Sequence, residues 1–170
     1  MSPEELEGWL EQLHTESFGW ALSCCAGDAT RAEDVLQTAY VRVISGRAVY
    51  GERSSFRTWL FGVIRLVALE ERRRVHREEK RAVWLDDPRA AAAAVAAEVS
   101  TDERESAEAL GAALAQLPER QREVLHLVFY EDLSISEAAA VMKISVGSAR
   151  THYERGKARV RAVLGERRYE

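Results

Sequence analysis

The sequence predicts an all-α chain: two small helical domains, about residues 1–82 and 101–168, joined by a flexible acidic linker over 83–100. Three observations predict it. Nearly every long segment repeats its apolar residues at the helical period. Helix starts are marked by Ser, Pro and Glu at capping positions. The pattern fails in one place, where acids and alanines replace the apolar stripe. No β alternation of useful length and no convincing internal repeat competes with this reading.

The elements follow in order. Ser2 with Glu5, and Pro3 at the first helical position, reads as a helix start. Leu6, Trp9, Leu10 and Leu13 then share one face of residues 3–13. Gly27-Asp28 breaks the chain. Beyond it Ala32, Val35, Leu36, Ala39, Tyr40 and Val43 form a second stripe, with Glu33, Asp34, Gln37 and Arg42 on the opposite side. A polar, Gly-containing loop over 45–54 precedes a long helix from about Ser55 to Arg81. That helix is apolar early, at Phe56, Trp59, Leu60, Ile64 and Val67, and strongly basic late. Its length exceeds the usual globular helix, so its basic end is expected to reach beyond the core. Asp86-Asp87-Pro88 and the alanine-rich run 90–97 carry no stripe large enough to bury, which makes them linker. Ser100 with Glu103 offers another capping box, and Ala107, Leu110, Leu114 and Leu117 give a helical face leading into the last third.

That last third is the most explicit part. Pro118 opens a helix. Ser134-Ile135-Ser136-Glu137 is a capping box for a short helix to Met142, Lys143-Ile144 make a turn, and Ser145 caps a long basic helix from near Val146. This is the plan of a helix-turn-helix, whose second helix enters the DNA major groove. At 100° per residue, Ala149, Tyr153, Gly156, Val160, Val163 and Leu164 face inward. The opposite face presents Ser148, Thr151 and Arg155, with Gly147, Arg150 and Glu154 beside them, to base edges; Lys157, Arg159 and Arg161 are placed for phosphates. From Lys143 to Arg168 there are eight basic residues against two acidic. Charge alone suits a solvated amphipathic helix closing a bundle equally well. Two capped helices around a short turn favour DNA contact.

Composition narrows the function classes. The chain has 170 residues, 46% hydrophobic and 31% charged, and no segment reaches the roughly 18 uninterrupted apolar residues of a membrane span. The acidic N-terminus lacks a signal-peptide pattern, so a cytoplasmic protein without membrane insertion is expected. Adjacent Cys24 and Cys25 have no spaced second pair for zinc and read as buried small apolar residues. His14, His76, His126 and His152 are isolated, and neither a Gly-rich phosphate loop nor a nucleophile motif occurs. No catalytic residue, metal or cofactor is predicted, and nothing argues for an enzyme. The net charge of −4 sits awkwardly with DNA binding until it is divided along the chain. Asp86 to Glu108 holds seven acids and two bases, whereas Arg57 to Arg81 holds seven Arg and one Lys against four Glu. A polyanion responds to that distribution, not to the total.

With both halves in view, the chain resembles the extracytoplasmic-function (ECF) sigma factors of bacterial RNA polymerase, within the sigma-70 family. Ala32-Glu33-Asp34-Val35-Leu36-Gln37-Thr38-Ala39-Tyr40 is similar to the region 2 helix that docks on the polymerase clamp. Ser55-Phe56-Arg57-Thr58-Trp59-Leu60 resembles the Phe-Arg-x-Trp-Leu segment beside the promoter −10 element, and Glu70-Glu71-Arg72-Arg73-Arg74 its basic continuation. Leu117-Pro118 through Val124-Leu125 is similar to the opening of region 4, and Ser134 to Arg161 to its −35-reading helix-turn-helix. Two departures stand out: Leu66 where many members have Asn, and Gly147-Ser148-Ala149-Arg150 where Gly-Thr-Val-Lys or similar is common.

The resemblance implies a promoter-specificity subunit that binds core RNA polymerase and promoter DNA, restrained by an anti-sigma factor and monomeric when free or 1:1 with its partner. It implies polymerase contact at Glu33, Asp34, Gln37, Thr38 and Arg42. It implies −35 contact at Ser145, Gly147, Ser148, Arg150, Thr151, Arg155, Lys157 and Arg159. For the −10 element, a loop with Arg47, Tyr50, Arg53 and Ser54, next to Phe56 and Trp59, suits capture of an unstacked base. Arg65, Arg72 and Arg73 are placed for phosphates there, and Arg57 is counted among the −10 contacts. Trp59 also reads as core, and each arginine also as a solvated helix charge. Two other readings share parts of the pattern: a dimeric helix-turn-helix regulator that binds duplex DNA without polymerase, and a sigma-like adaptor that sequesters an anti-sigma factor.

Overall fold

The computed structural model describes residues 1–81 and 101–166, the side chains of 101–107 and 166 excepted. The linker over 83–100, with the Ser100 cap, lies outside them. The chain divides into two compact units, Met1–Ala94 and Val95–Glu170. The all-α expectation holds: every regular element among the described residues is helical.

The first unit comprises α1 (Pro3–Gln12), α2 (His14–Cys24), α3 (Ala29–Ile44) and α4 (Phe56–Arg81). Helix α1 starts as expected. The Glu5 amide donates to Ser2 Oγ at 3.2 Å and the Ser2 amide donates to the Glu5 carboxylate at 2.7 Å, holding that carboxyl below its ordinary pKa. Helix α2 is the element the sequence reading missed. From Ser17 to Cys25 its residues are buried or half-buried on every side, so no apolar stripe stands out against a polar face. It ends in two successive left-handed residues, Ala26 (φ 54) and Gly27 (φ 83), where the Gly27 amide reaches back to the Leu22 carbonyl. Asp28 then caps α3 by accepting from the Arg31 amide at 3.0 Å.

The core of this unit lies where α2, α3 and α4 meet. Ala32, Val35, Leu36, Ala39 and Val43 are buried from α3, and Leu60, Phe61, Ile64 and Val67 from α4. Trp20 of α2 is fully buried between them. Its indole N–H donates to the Phe61 carbonyl at 3.0 Å, and its ring stacks on that of Phe61. A buried Trp of roughly 200 Å² contributes about 5 kcal/mol of gross apolar transfer. The hydrogen bond removes the penalty of an unpaired indole. Cys25 is buried and Cys24 half-buried, neither in a disulfide; burial raises the Cys25 pKa. The last turns of α4, from His76 to Arg81, are exposed, as the length of its pattern implies.

The second unit comprises α5 (Thr101–Ala115), α6 (Glu119–Leu125), a π-helical turn (His126–Tyr130), α7 (Ile135–Met142) and α8 (Val146–Glu166). Pro118 precedes α6 as expected. The widened turn after it was not legible: the Glu131 amide donates to the His126 carbonyl at 3.2 Å, an i to i+5 bond. It leaves Phe129 and Tyr130 each 59% exposed while the Glu131 carboxylate, buried, meets His126 Nε2 at 3.1 Å. The capping box at Ser134 and Glu137 forms with both reciprocal bonds. Lys143 takes the left-handed conformation (φ 53, ψ 46) that closes α7. Ser145 Oγ then accepts from the Ser148 amide at 3.0 Å to start α8.

Helix α8 packs through Ala149 and Gly156, both buried, with Tyr153, Val160, Val163 and Leu164 half-buried on the same face. Gly156 permits the closest approach. A Cβ there would stand 3.0 Å from Leu125 Cδ1 and 3.4 Å from Gln121 Cβ. Replacing Gly156 with Val is therefore expected to destabilise the second unit by about 1–3 kcal/mol through overpacking. Native-state hydrogen exchange on the whole chain checks this: amides of α6 and α8 lose protection while those of α2 to α4 keep it.

Candidate functional site

The first three turns of α8 form a clean exposed face. Gly147, Ser148, Arg150, Thr151, Glu154 and Arg155 are all exposed, on the side opposite Ala149 and Gly156. The small hydroxyls are already engaged in building the helix. Ser145 Oγ donates to Ser148 Oγ at 2.9 Å, and Thr151 Oγ1 donates to the Gly147 carbonyl at 3.0 Å. The Ser145 side chain thus acts as a cap. Arg150, Arg155 and Arg159 are exposed with no ion-pair partner among the described residues. Lys157 is placed differently from the phosphate role read from sequence. It is half-buried, pairs with Glu154 at 3.3 Å and sits over the Tyr153 ring at 4.5 Å.

The loop ahead of α4 is organised by rings. Tyr50 lies edge-on to Phe56 with centroids 5.4 Å apart, and 5.3 Å from Trp59, which is itself 5.3 Å from Phe56. The Tyr50 hydroxyl donates to the Ser54 carbonyl and so pins the loop on itself. Phe56 is buried; Trp59 and Tyr50 are half-buried, so Trp59 is less enclosed than its core reading implies. Arg47 and Arg53 project from the loop into solvent, and Ser54 is half-buried. Ser55 caps α4 by accepting from the Thr58 amide at 3.1 Å.

The arginines of α4 divide. Arg57 turns inward, pairing with Glu16 of α2 at 2.8 Å and covering the Phe61 ring at 5.4 Å, so its expected −10 contact competes with a structural one. Arg65 is half-buried, and Arg72 and Arg73 are exposed. Arg74 is held by Glu71 and Glu78, one turn to either side, which lowers the Glu71 pKa through its hydrogen bonds with Arg74.

On α3 the structure brings Glu33, Asp34, Gln37 and Thr38 together as an exposed face. Arg42 leaves that group to pair with Glu70 of α4. Two residues missed by the sequence reading extend the face: Val41, 57% exposed, and Ile44, 67% exposed. They stand four and seven residues beyond Gln37. That spacing was the available signal: at 100° per residue both fall on the side of Gln37, away from the Ala32–Val43 stripe. Leu66, at the position of the family Asn, is 40% exposed on α4.

Two family models match. The sigma-70 region 2 model covers residues 9–78 and the sigma-70 region 4 model residues 107–160, in chain order and together most of the chain. The chain belongs to the sigma-70 family. Among curated proteins it is similar to the ECF RNA polymerase sigma factor EcfG of Rhodopseudomonas palustris, 27% identical over 82% of this chain and 74% of that one. It is also similar to the ECF sigma factor SigX of Bacillus subtilis, 29% identical over 76% and 68%. Among solved structures, the sigma factor RpoE of Bartonella quintana, in complex with the anti-sigma factor NepR, shares the fold. Its TM-score is 0.78 at 21% identity, covering 95% of this chain and 98% of that one. The region 2 match contains α3, the ring-built loop and most of α4; the region 4 match contains the helix-turn-helix.

The Arg42–Glu70 pair joins α3 to α4, with side chains 31% and 42% exposed. At that exposure a double-mutant cycle with Arg42→Ala and Glu70→Ala is expected to give a coupling of only about 0.5–1 kcal/mol, shrinking as salt rises. Urea unfolding of the four chains at two ionic strengths measures it.

Proposed function

We propose that this chain is an ECF-type alternative sigma factor, acting in the cytoplasm, which binds core RNA polymerase and directs it to promoters. The observation that carries this reading is the presence of sigma-70 regions 2 and 4 in order on one chain. In region 2 the exposed face Glu33, Asp34, Gln37 and Thr38, extended by Val41 and Ile44, meets polymerase. Arg47 and Arg53, beside the Tyr50–Phe56–Trp59 rings, take an unstacked base of the −10 element, with Arg72 and Arg73 on its phosphates. In region 4 the exposed face of α8 lies in the major groove of the −35 element, Arg150 and Arg155 toward base edges and Arg159 toward phosphate. The chain supplies recognition, and polymerase supplies the chemistry.

Transcription in vitro with purified core polymerase over a promoter library, with a control lacking this chain, tests the reading. Specific start sites are expected only when both are present. A gel shift showing specific duplex binding by the chain alone would point to a free-standing regulator. Arg150→Ala or Arg155→Ala is expected to cost about 1–3 kcal/mol at the −35 element if either residue reads a base. An equal loss on every DNA sequence reassigns it to phosphate.

The relative of known structure is held by an anti-sigma factor. By the same logic a partner is expected to cover the polymerase-facing surface of this chain at 1:1. Affinity capture from cells should recover that protein as well as polymerase, and Ile44→Asp should weaken capture of both. Recovery of polymerase alone refutes the partner.

A further inference from the structure

Phe56 is the hub of the ring cluster, and one of its neighbours belongs to neither assigned surface. Trp9 of α1 tilts onto the Phe56 ring, centroids 6.0 Å apart, and remains 45% exposed. Leu10 and Leu13 already bury the inner face of this segment. The largest side chain of α1 is thus left with an open face on Phe56, the ring that also carries Tyr50 of the loop with Arg47 and Arg53.

We propose that Trp9 is a stacking wall for an unpaired base of the opened −10 strand, a role that rests on the sigma-factor reading above. The charges around it constrain how the strand can run. Helix α1 carries Glu4, Glu5, Glu7 and Glu11, which repel a phosphate chain laid along it. The strand backbone therefore follows Arg47 and Arg53, and only a base reaches over to α1. An indole face accepts any base, so Trp9 holds the open strand without selecting its sequence.

The test uses holoenzyme assembled from core polymerase and the full chain, on a promoter chosen from the library. 2-Aminopurine replaces each −10 non-template base in turn, and its fluorescence is read with the lifetime of the open complex. Trp9→Leu fills the site without a π face, and Trp9→Tyr keeps one. Trp9→Leu is expected to shorten the lifetime by roughly tenfold and to brighten the probe at one position, with Trp9→Tyr recovering both. Failure of Trp9→Tyr to recover either, or a Trp9→Leu effect fully accounted for by lost thermal stability, overturns the proposal. So does wild-type behaviour of Trp9→Leu. In that last case a shortened lifetime for Arg53→Ala leaves the base-capture loop standing, whereas an unchanged one removes the loop assignment as well.

Discussion

A chain of net charge −4 that works on a polyanion has to sort its cations. The sorting is done by carboxylates placed within reach of some basic residues and not others. Glu71 and Glu78 hold Arg74, Glu154 holds Lys157, Glu16 holds Arg57 and Glu70 holds Arg42. Each such cation already has its counter-charge, so a phosphate gains little from it and releases no bound counterion there. Arg47, Arg53, Arg73, Arg150, Arg155 and Arg159 stand exposed. They lie in three places: the loop, the basic end of α4 and the outer face of α8. On the proposed reading, the nucleic-acid surface draws on arginines left outside the ion pairs, so their placement matters more than their number.

Those exposed groups are useful only if their helices are held still. In the first unit the buried indole of Trp20 ties α2 to the α4 backbone at Phe61, two residues from the Trp59 ring that supports the loop. In the second, Gly156 lets α8 lie against α6, and this orients Ala149 inward and Arg150 and Arg155 outward. The two devices differ in kind. A buried polar tip must find an acceptor, so Trp20 specifies one arrangement; an absent Cβ specifies only a distance. Helix α8 therefore needs its second constraint, the left-handed Lys143 and the Ser145 cap that begin it.

Most of this architecture was legible in the sequence because it rests on periodicity and capping, which are local. The boxes at Ser2 and Ser134, the Ser145 cap, the α3 stripe and the outer face of α8 needed no tertiary information. What stayed hidden depends on neighbours distant in sequence. From Ser17 on, helix α2 is buried or half-buried on every side, which erases its stripe. The π-helical turn after Leu125 inserts no distinctive residue, since Leu127, Val128 and Phe129 suit an α-helix as well. Arg57 and Lys157 read as free cations because neither Phe61 nor the Tyr153 ring announces that it will lie beneath one. Side-chain type is least informative where a surface is functional. Val41 and Ile44 are aliphatic, lie off the α3 stripe and are exposed.

Their exposure also explains why such a chain would act only on its polymerase. On the proposed reading α8 offers a handful of base and phosphate contacts, and the acidic remainder of the protein repels duplex DNA over the Debye length of about 8–10 Å. Neither reader holds a promoter well by itself. Docking α3 removes two large aliphatic side chains from water, a gain of about 1.5–3 kcal/mol for each one fully covered, and it fixes the first unit to a body that also binds the DNA. From then on base capture at the loop and groove contact at α8 occur at the effective concentration set by that shared body, and their free energies combine instead of competing with dissociation. The apolar end of the α3 face and the small set of exposed arginines are then two halves of one arrangement: binding that stays weak until the partner is present and becomes specific once it is.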